Sequence, residues 1–134
     1  MIKYRAGFKY QLVGDYTIQT SITAGKSIKT EFIHLSATGL LTIKNGYAWD
    51  GPSGPTIDTK TFIRPSLCHD AFYQLIRYGL IEKTWREPAD QELKKMCLED
   101  GMNWIRAWYV YKSVQLGGKT SASPESLKKI LTAP

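Results

Sequence analysis

Tyr47-Ala48-Trp49-Asp50-Gly51-Pro52-Ser53-Gly54-Pro55 divides this chain into two unlike parts. From Gly51 to Pro55 there are two glycines and two prolines in five residues. Proline lacks the N–H that helix interiors and central strands need, so the stretch forms neither. Long irregular loops inside compact domains are often working parts. The sequence before the loop reads as strands and the sequence after it as helices, an order that points to α+β.

Upstream of the loop, Phe8 to Val13 partly alternates and Gly14-Asp15 signals a turn. Tyr16 to Ile22 alternates well, and Ala24-Gly25-Lys26 turns the chain into Ile28 to Leu35. Ala37-Thr38-Gly39 turns it again into Leu40 to Ile43, which Asn45-Gly46 closes. Four or five short strands with tight turns predict an antiparallel meander.

Downstream, Pro65 suits a first helical turn, so a helix is expected from about Ser66 to Tyr78 with Gly79 as its stop. Pro88 opens a second helix, with Ala89, Leu93, Met96 and Cys97 at helical spacing and Gly101 as its end. A third is expected from about Asn103 to Leu116, burying some of Trp104, Ala107, Trp108, Tyr111 and Val114 before Gly117-Gly118. Beyond it, Lys119 to Ser123 reads as a linker and Pro124 to Leu131 as a short terminal helix. The organisation expected is one domain over 1–134: strands in 1–46, the Gly/Pro loop in 47–64, helices in 65–118, and linker with terminal helix in 119–134.

A chain of 134 residues with 43% hydrophobic and 22% charged residues can bury a core without disulfides or a structural metal. No stretch approaches the roughly 18 consecutive apolar residues of a membrane span. Met1-Ile2-Lys3-Tyr4-Arg5 leads into mixed polar sequence, so no secretory signal is expected. Two cysteines, Cys68 and Cys97, are too few and too far apart for a cysteine zinc site and read as reduced, buried residues. The net charge of +6 favours acidic partners. Its basic residues are dispersed, however, and Lys26-Ser27-Ile28-Lys29 or Lys128-Lys129 falls short of a nucleic-acid stripe.

Three polar clusters carry chemical potential. In the loop, Asp50 and Ser53 with nearby carbonyls can present oxygens to a hard cation, and Trp49, Gly51 and Ser53 are candidates for substrate contact. Asp before Gly is also ordinary turn chemistry. The second cluster is Cys68-His69-Asp70-Ala71-Phe72-Tyr73. His69 and Asp70 project about 100° apart on a helix and face different partners, while Tyr73 lies one turn beyond His69. The third is Arg86-Glu87-Pro88-Ala89-Asp90, where Asp90 borders the apolar face. An aspartate early in a helix also offsets the helix dipole.

If Asp90 meets His69, it can hold one ring nitrogen and leave the other to take a proton from water. An antiparallel pair would bring Asp90 to the C-terminal half of the first helix, whereas a parallel or crossed arrangement could bring it to His69; the sequence leaves the choice open. His34, the other histidine, reads as a structural or surface residue. The chain has no G-x-S-x-G elbow, P-loop, G-x-G-x-x-G or H-E-x-x-H. Serine-elbow hydrolases, nucleotide-binding folds and zincins are set aside.

In order, the motifs resemble a small bacteriophage and prophage family of unknown function. They are Asn45-Gly46-Tyr47, Trp49 to Pro55, Leu67 to Tyr73, Arg86 to Asp90, and a closing helix ending at Gly117. The resemblance spans about Phe8 to Gly118 and implies a phage origin without a known activity. Locally the chain is also similar to secreted phospholipases A2. That similarity implies a calcium-binding glycine-rich loop at Gly51 to Gly54, His69 as base, Asp70 as a calcium ligand and Asp90 as the group that orients the base. It departs from those enzymes in lacking their helix-stapling disulfides, in its proline-rich loop and in its strand-rich N-terminal part.

These readings yield an expected hydrolase of a lipid or cell-wall ester or amide, with His69, Asp90 and Tyr73 as catalytic candidates. Asp50 and Asp70 are the metal candidates, and oxygen ligands of this kind suit calcium. One alternative is a virion component, tail or connector, self-associating or binding other phage proteins, in which the same cluster is structural. Another is an early phage protein that binds a host protein or nucleic acid. The expected location is the host cytoplasm or the virion.

Overall fold

A computed structural model of the chain describes residues 2–4, 10–49, 60–121 and 131–133. The architecture is α+β, with antiparallel strands first and three helices after them. Strands β1 (Ile2–Tyr4), β2 (Tyr10–Gln11), β3 (Tyr16–Gln19), β4 (Ile28–Lys29), β5 (Ile33–Leu35), β6 (Leu40–Ile43) and β7 (Ala48–Trp49) precede α1 (Lys60–Arg77), α2 (Arg86–Glu99), α3 (Trp104–Ser121) and β8 (Leu131–Ala133).

Four strands form the main sheet in the order β3-β6-β5-β4, all antiparallel. Strands β4, β5 and β6 follow one another as a meander, and β3 adds to the far side of β6, pairing Tyr16 with Ile43 and Gln19 with Leu40. The expected single strand over Ile28 to Leu35 is two strands, because Thr30 turns the chain. Its backbone N–H bonds the Ile33 carbonyl at 2.8 Å and its Oγ1 accepts from the Ile33 N–H at 2.9 Å. One face of the sheet is apolar: Ile33, Leu35, Leu41 and Ile43 are fully buried and pack with Ala71, Phe72, Leu75 and Ile76 of α1. Period-two strands against a 3.6-period helix produce this core.

The first helix differs from the expected one at its start. It begins at Lys60, six residues before Ser66, so Pro65 lies inside it. The missing N–H of Pro65 would have bonded the carbonyl of Thr61, so the disturbance stays in the first turn. Just beyond, Ser66 Oγ donates to the Ile63 carbonyl at 2.9 Å. Phe62 gives this early turn its reason to form. It is buried with Leu93, Cys97, Met102, Ala107 and Val110, in a second apolar cluster shared with α2 and α3.

Helices α1 and α2 close with the same pair of backbone bonds. Leu80 N–H reaches the Leu75 carbonyl and Gly79 N–H that of Ile76; Met102 reaches Cys97 and Gly101 reaches Leu98. Both glycines hold positive φ, 72° at Gly79 and 97° at Gly101, as this termination requires. α1 and α2 run antiparallel. Arg64 near the start of α1 clasps Asp100, just past the end of α2, with Nε–Oδ2 at 3.0 Å and Nη2–Oδ1 at 2.7 Å. The sheet is tied to α2 by Glu92, whose Oε1 accepts from Ser21 N–H at 2.9 Å and Ser21 Oγ at 2.6 Å.

Two expectations at the C-terminal end are corrected. Lys119 to Ser121 belong to α3, which continues through Gly117-Gly118. Glycine costs a helix about 1 kcal/mol and does not by itself end one. Leu131 belongs to a strand, with β8 pairing antiparallel to β1 through Ile2–Ala133 and Tyr4–Leu131. Residues 124–130 of the expected terminal helix lie outside the described residues.

Candidate functional site

His69, Tyr73 and Asp90 come together where α1 packs beside the second turn of α2. His69 is the tenth residue of α1, at the start of its C-terminal half, because the helix begins at Lys60. An antiparallel α2 therefore delivers Asp90 to it, and no crossed arrangement is needed. Asp90 shares the face of α2 that buries Ala89, Leu93 and Met96. Asp70 sits mid-helix, so the dipole at a helix start does not account for its carboxylate.

His69 Nε2 lies 2.7 Å from Asp90 Oδ1, and Tyr73 Oη donates to the same oxygen at 2.6 Å. A carboxylate only accepts, so the ring proton sits on Nε2 and the lone pair of the neutral ring on Nδ1. The His69 and Tyr73 rings are 4.1 Å apart, one helical turn along the same face. Asp90 is 0% exposed and His69 8%. On the other side of the ring, Nδ1 stands 4.0 Å from Asp70 Oδ1, so these neighbours face each other where separate partners were expected. The site thus has two ends: a buried carboxylate behind the imidazole and a partly exposed one ahead of it.

Electrostatics follow from this placement. Burial opposes a charged imidazole, yet the carboxylates of Asp70 and Asp90 outweigh it, and the His69 pKa stands above the ordinary 6.5. Burial and the Asp90 acceptor hold the Tyr73 phenol well above its usual range, so it stays a hydrogen-bond donor. Asp90 Oδ2 has no hydrogen-bond partner among the described residues. Its nearest cation is Arg86, with Nη1 at 3.9 Å, one turn back on α2. The same Nη1 donates to the Gln115 carbonyl of α3 at 3.2 Å, which fixes the guanidinium between the two helices. Sequence reading gave Arg86 no role. Its i,i+4 spacing to Asp90 on one helix was the signal that could have found it.

Trp49 is buried, stacked with Tyr47 at 6.3 Å and tilted against Tyr10 at 5.4 Å. Its Nε1 donates to Ser66 Oγ at 3.1 Å, one turn ahead of His69 on α1. The end of β7 is thereby anchored beside the site. Asp50, Gly51 and Ser53 lie outside the described residues. Among the described residues no group of three His, Cys, Asp or Glu side chains could hold a metal ion. Cys68 and Cys97 are free and buried, and burial pushes each thiol up to about 12, so neither supplies a thiolate.

No protein-family model, curated protein or solved structure matches this chain. The resemblances to a phage family and to phospholipase A2 therefore rest on the motifs themselves.

Proposed function

We propose that the chain is a hydrolase of bacteriophage or prophage type, with His69 as general base and Asp90 as its orienting carboxylate. The single observation that carries this reading is the 2.7 Å contact between His69 Nε2 and the buried Asp90 carboxylate, with Tyr73 locking the same oxygen at 2.6 Å. Such a pair fixes the tautomer and leaves Nδ1, on the Asp70 side of the ring, to take a proton.

The proposed step is simple. Nδ1 takes a proton from water as the water oxygen attacks an ester or amide carbonyl. Asp90 stabilises the imidazolium that forms, and the same proton then passes to the leaving oxygen or nitrogen. The phage origin is supported by the order of the sequence motifs, and a lipid or cell-wall acyl substrate by the local similarity to phospholipase A2.

A second reading is favoured by burial: with Asp90 at 0% and His69 at 8% exposure, the trio also fits a structural network in a virion component. Hydrolysis of short-chain acyl esters and phospholipid, with and without calcium, decides between the two when parent and His69→Gln are compared. A folded His69→Gln protein that loses turnover supports the hydrolase. A parent without turnover on that panel, together with a His69→Gln variant that melts far lower, supports the structural network.

A further inference from the structure

Helix α3 is apolar on two opposite faces. Ala107, Val110 and Tyr111 are buried against the rest of the molecule. On the other side, Trp104, Ile105, Trp108, Tyr109 and Leu116 face solvent, with Trp104 70% and Leu116 88% exposed. Nine large apolar side chains are exposed among the described residues, and five of them lie on this one helix. At about 100° per residue these five span a single stripe with Lys112 at its centre. Scattered exposed hydrophobics are ordinary, whereas a contiguous aromatic stripe marks a surface meant to be covered.

Charge selects what covers it. Trp104–Ser121 contains Arg106, Lys112 and Lys119 and no acidic residue, on a chain of net charge +6. Lys112 Nζ lies over the rings of Trp108 and Tyr111, at 5.9 and 5.7 Å from their centroids, keeping its stem on the apolar stripe. Glu99 and Asp100 pair with Arg64, and Glu87 of α2 accepts from Tyr111 and Gln115 at the edge of the stripe. A second copy packed stripe to stripe would set Lys112 against a helix that carries no acidic residue of its own, a costly arrangement. The stripe calls for an occupant that is apolar inside and negative at its surface.

We infer that the outer face of α3 docks on an anionic lipid surface. Trp104 and Trp108 then sit at headgroup level, where an indole keeps an apolar body buried and its N–H wet. Ile105 and Leu116 enter the acyl boundary, and Lys112 reaches the lipid phosphates. A convex helix face suits this occupant because a bilayer needs no shape-matched groove. The helix lies on the membrane and does not cross it; no helix among the described residues is long and apolar enough to span. Docking is independent of whether His69 is a catalyst.

The test is sedimentation of the full chain with phosphatidylcholine vesicles, with and without phosphatidylglycerol. The parent should bind the phosphatidylglycerol vesicles, weaken with added salt, and show a blue shift of tryptophan emission. Ile105→Ser with Trp108→Ser should lower vesicle affinity by more than about tenfold, since two large apolar side chains leave the interface. Lys112→Gln should lower it about fivefold. All three positions are exposed, so unchanged circular dichroism and melting separate loss of docking from loss of fold. A parent that ignores phosphatidylglycerol vesicles overturns the inference, as does binding that survives the double substitution. A dimer that the double substitution dissolves, with no vesicle binding, assigns the face to a second copy instead.

Discussion

Asp90→Asn isolates the charge of the buried carboxylate from its shape. The side-chain volume is nearly kept, and the one amide oxygen can still accept from Tyr73 and His69. What is lost is the negative charge 2.7 Å from the imidazole. A hydrogen bond to a charged group contributes about 1.5–3 kcal/mol. At about 1.4 kcal/mol per pH unit, the His69 pKa should fall by roughly 1 to 2 units. The parent value stands above the ordinary 6.5, so folding favours the protonated ring. That contribution is fully present below pH 6.5 and is lost as pH rises through the folded pKa.

The substitution should therefore cost most on the acid side and least above the folded pKa. A further cost of about 1–3 kcal/mol persists at every pH, because the new amide N–H₂ points where Oδ2 already lacks a partner. Urea unfolding below and above the folded pKa, with an NMR titration of the His69 ring, reads both effects. A cost that is flat across pH, or a parent His69 that titrates at or below 6.5, rules out an imidazolium stabilised by Asp90.

Three further outcomes follow from the packing. Tyr73→Phe removes one donor from the buried Asp90 oxygen and should lower stability by about 1.5–3 kcal/mol in chemical denaturation. Arg64→Met breaks the two-bond clasp to Asp100 that ties the start of α1 to the end of α2. It should cost about 1 kcal/mol at low salt and less at high salt, since the pair is part-exposed and screened. Gly39→Ala forces a side chain onto φ 93° with its Cβ 2.4 Å from the Thr20 carbonyl oxygen. It should lower stability by at least about 1–3 kcal/mol, read by thermal melting.

The parts of the fold that were legible in the sequence are local. Leu40 to Ile43 alternates between buried and less buried residues, and the strand sits where the alternation placed it. Gly79 and Gly101 end α1 and α2, because a backbone needing positive φ leaves its mark at the residue itself. The start of α1 was not legible. Pro65 looked like a first turn, while the reason for the six earlier residues, burial of Phe62 between α2 and α3, is a tertiary contact. That one shift also decided whether His69 and Asp90 could meet with antiparallel helices. The pairing of Leu131–Ala133 with Ile2–Tyr4 joins segments far apart in sequence and has no local signature. On α3, helical spacing offered Trp104 and Trp108 to the core, but two opposed apolar stripes compete for one interior, and the stripe of Ala107 and Val110 is the one buried.

In the proposed hydrolysis His69, held by Asp90, is the general base. The most direct measurement is the pH dependence of kcat/KM for acyl ester hydrolysis, set beside the NMR titration of His69 in the same protein. With His69 as the base, the rate rises with pH through the raised His69 pKa, the limb moves to lower pH in Asp90→Asn, and turnover disappears in a folded His69→Gln variant. A rate that ignores the His69 titration, or that survives His69→Gln, contradicts that role.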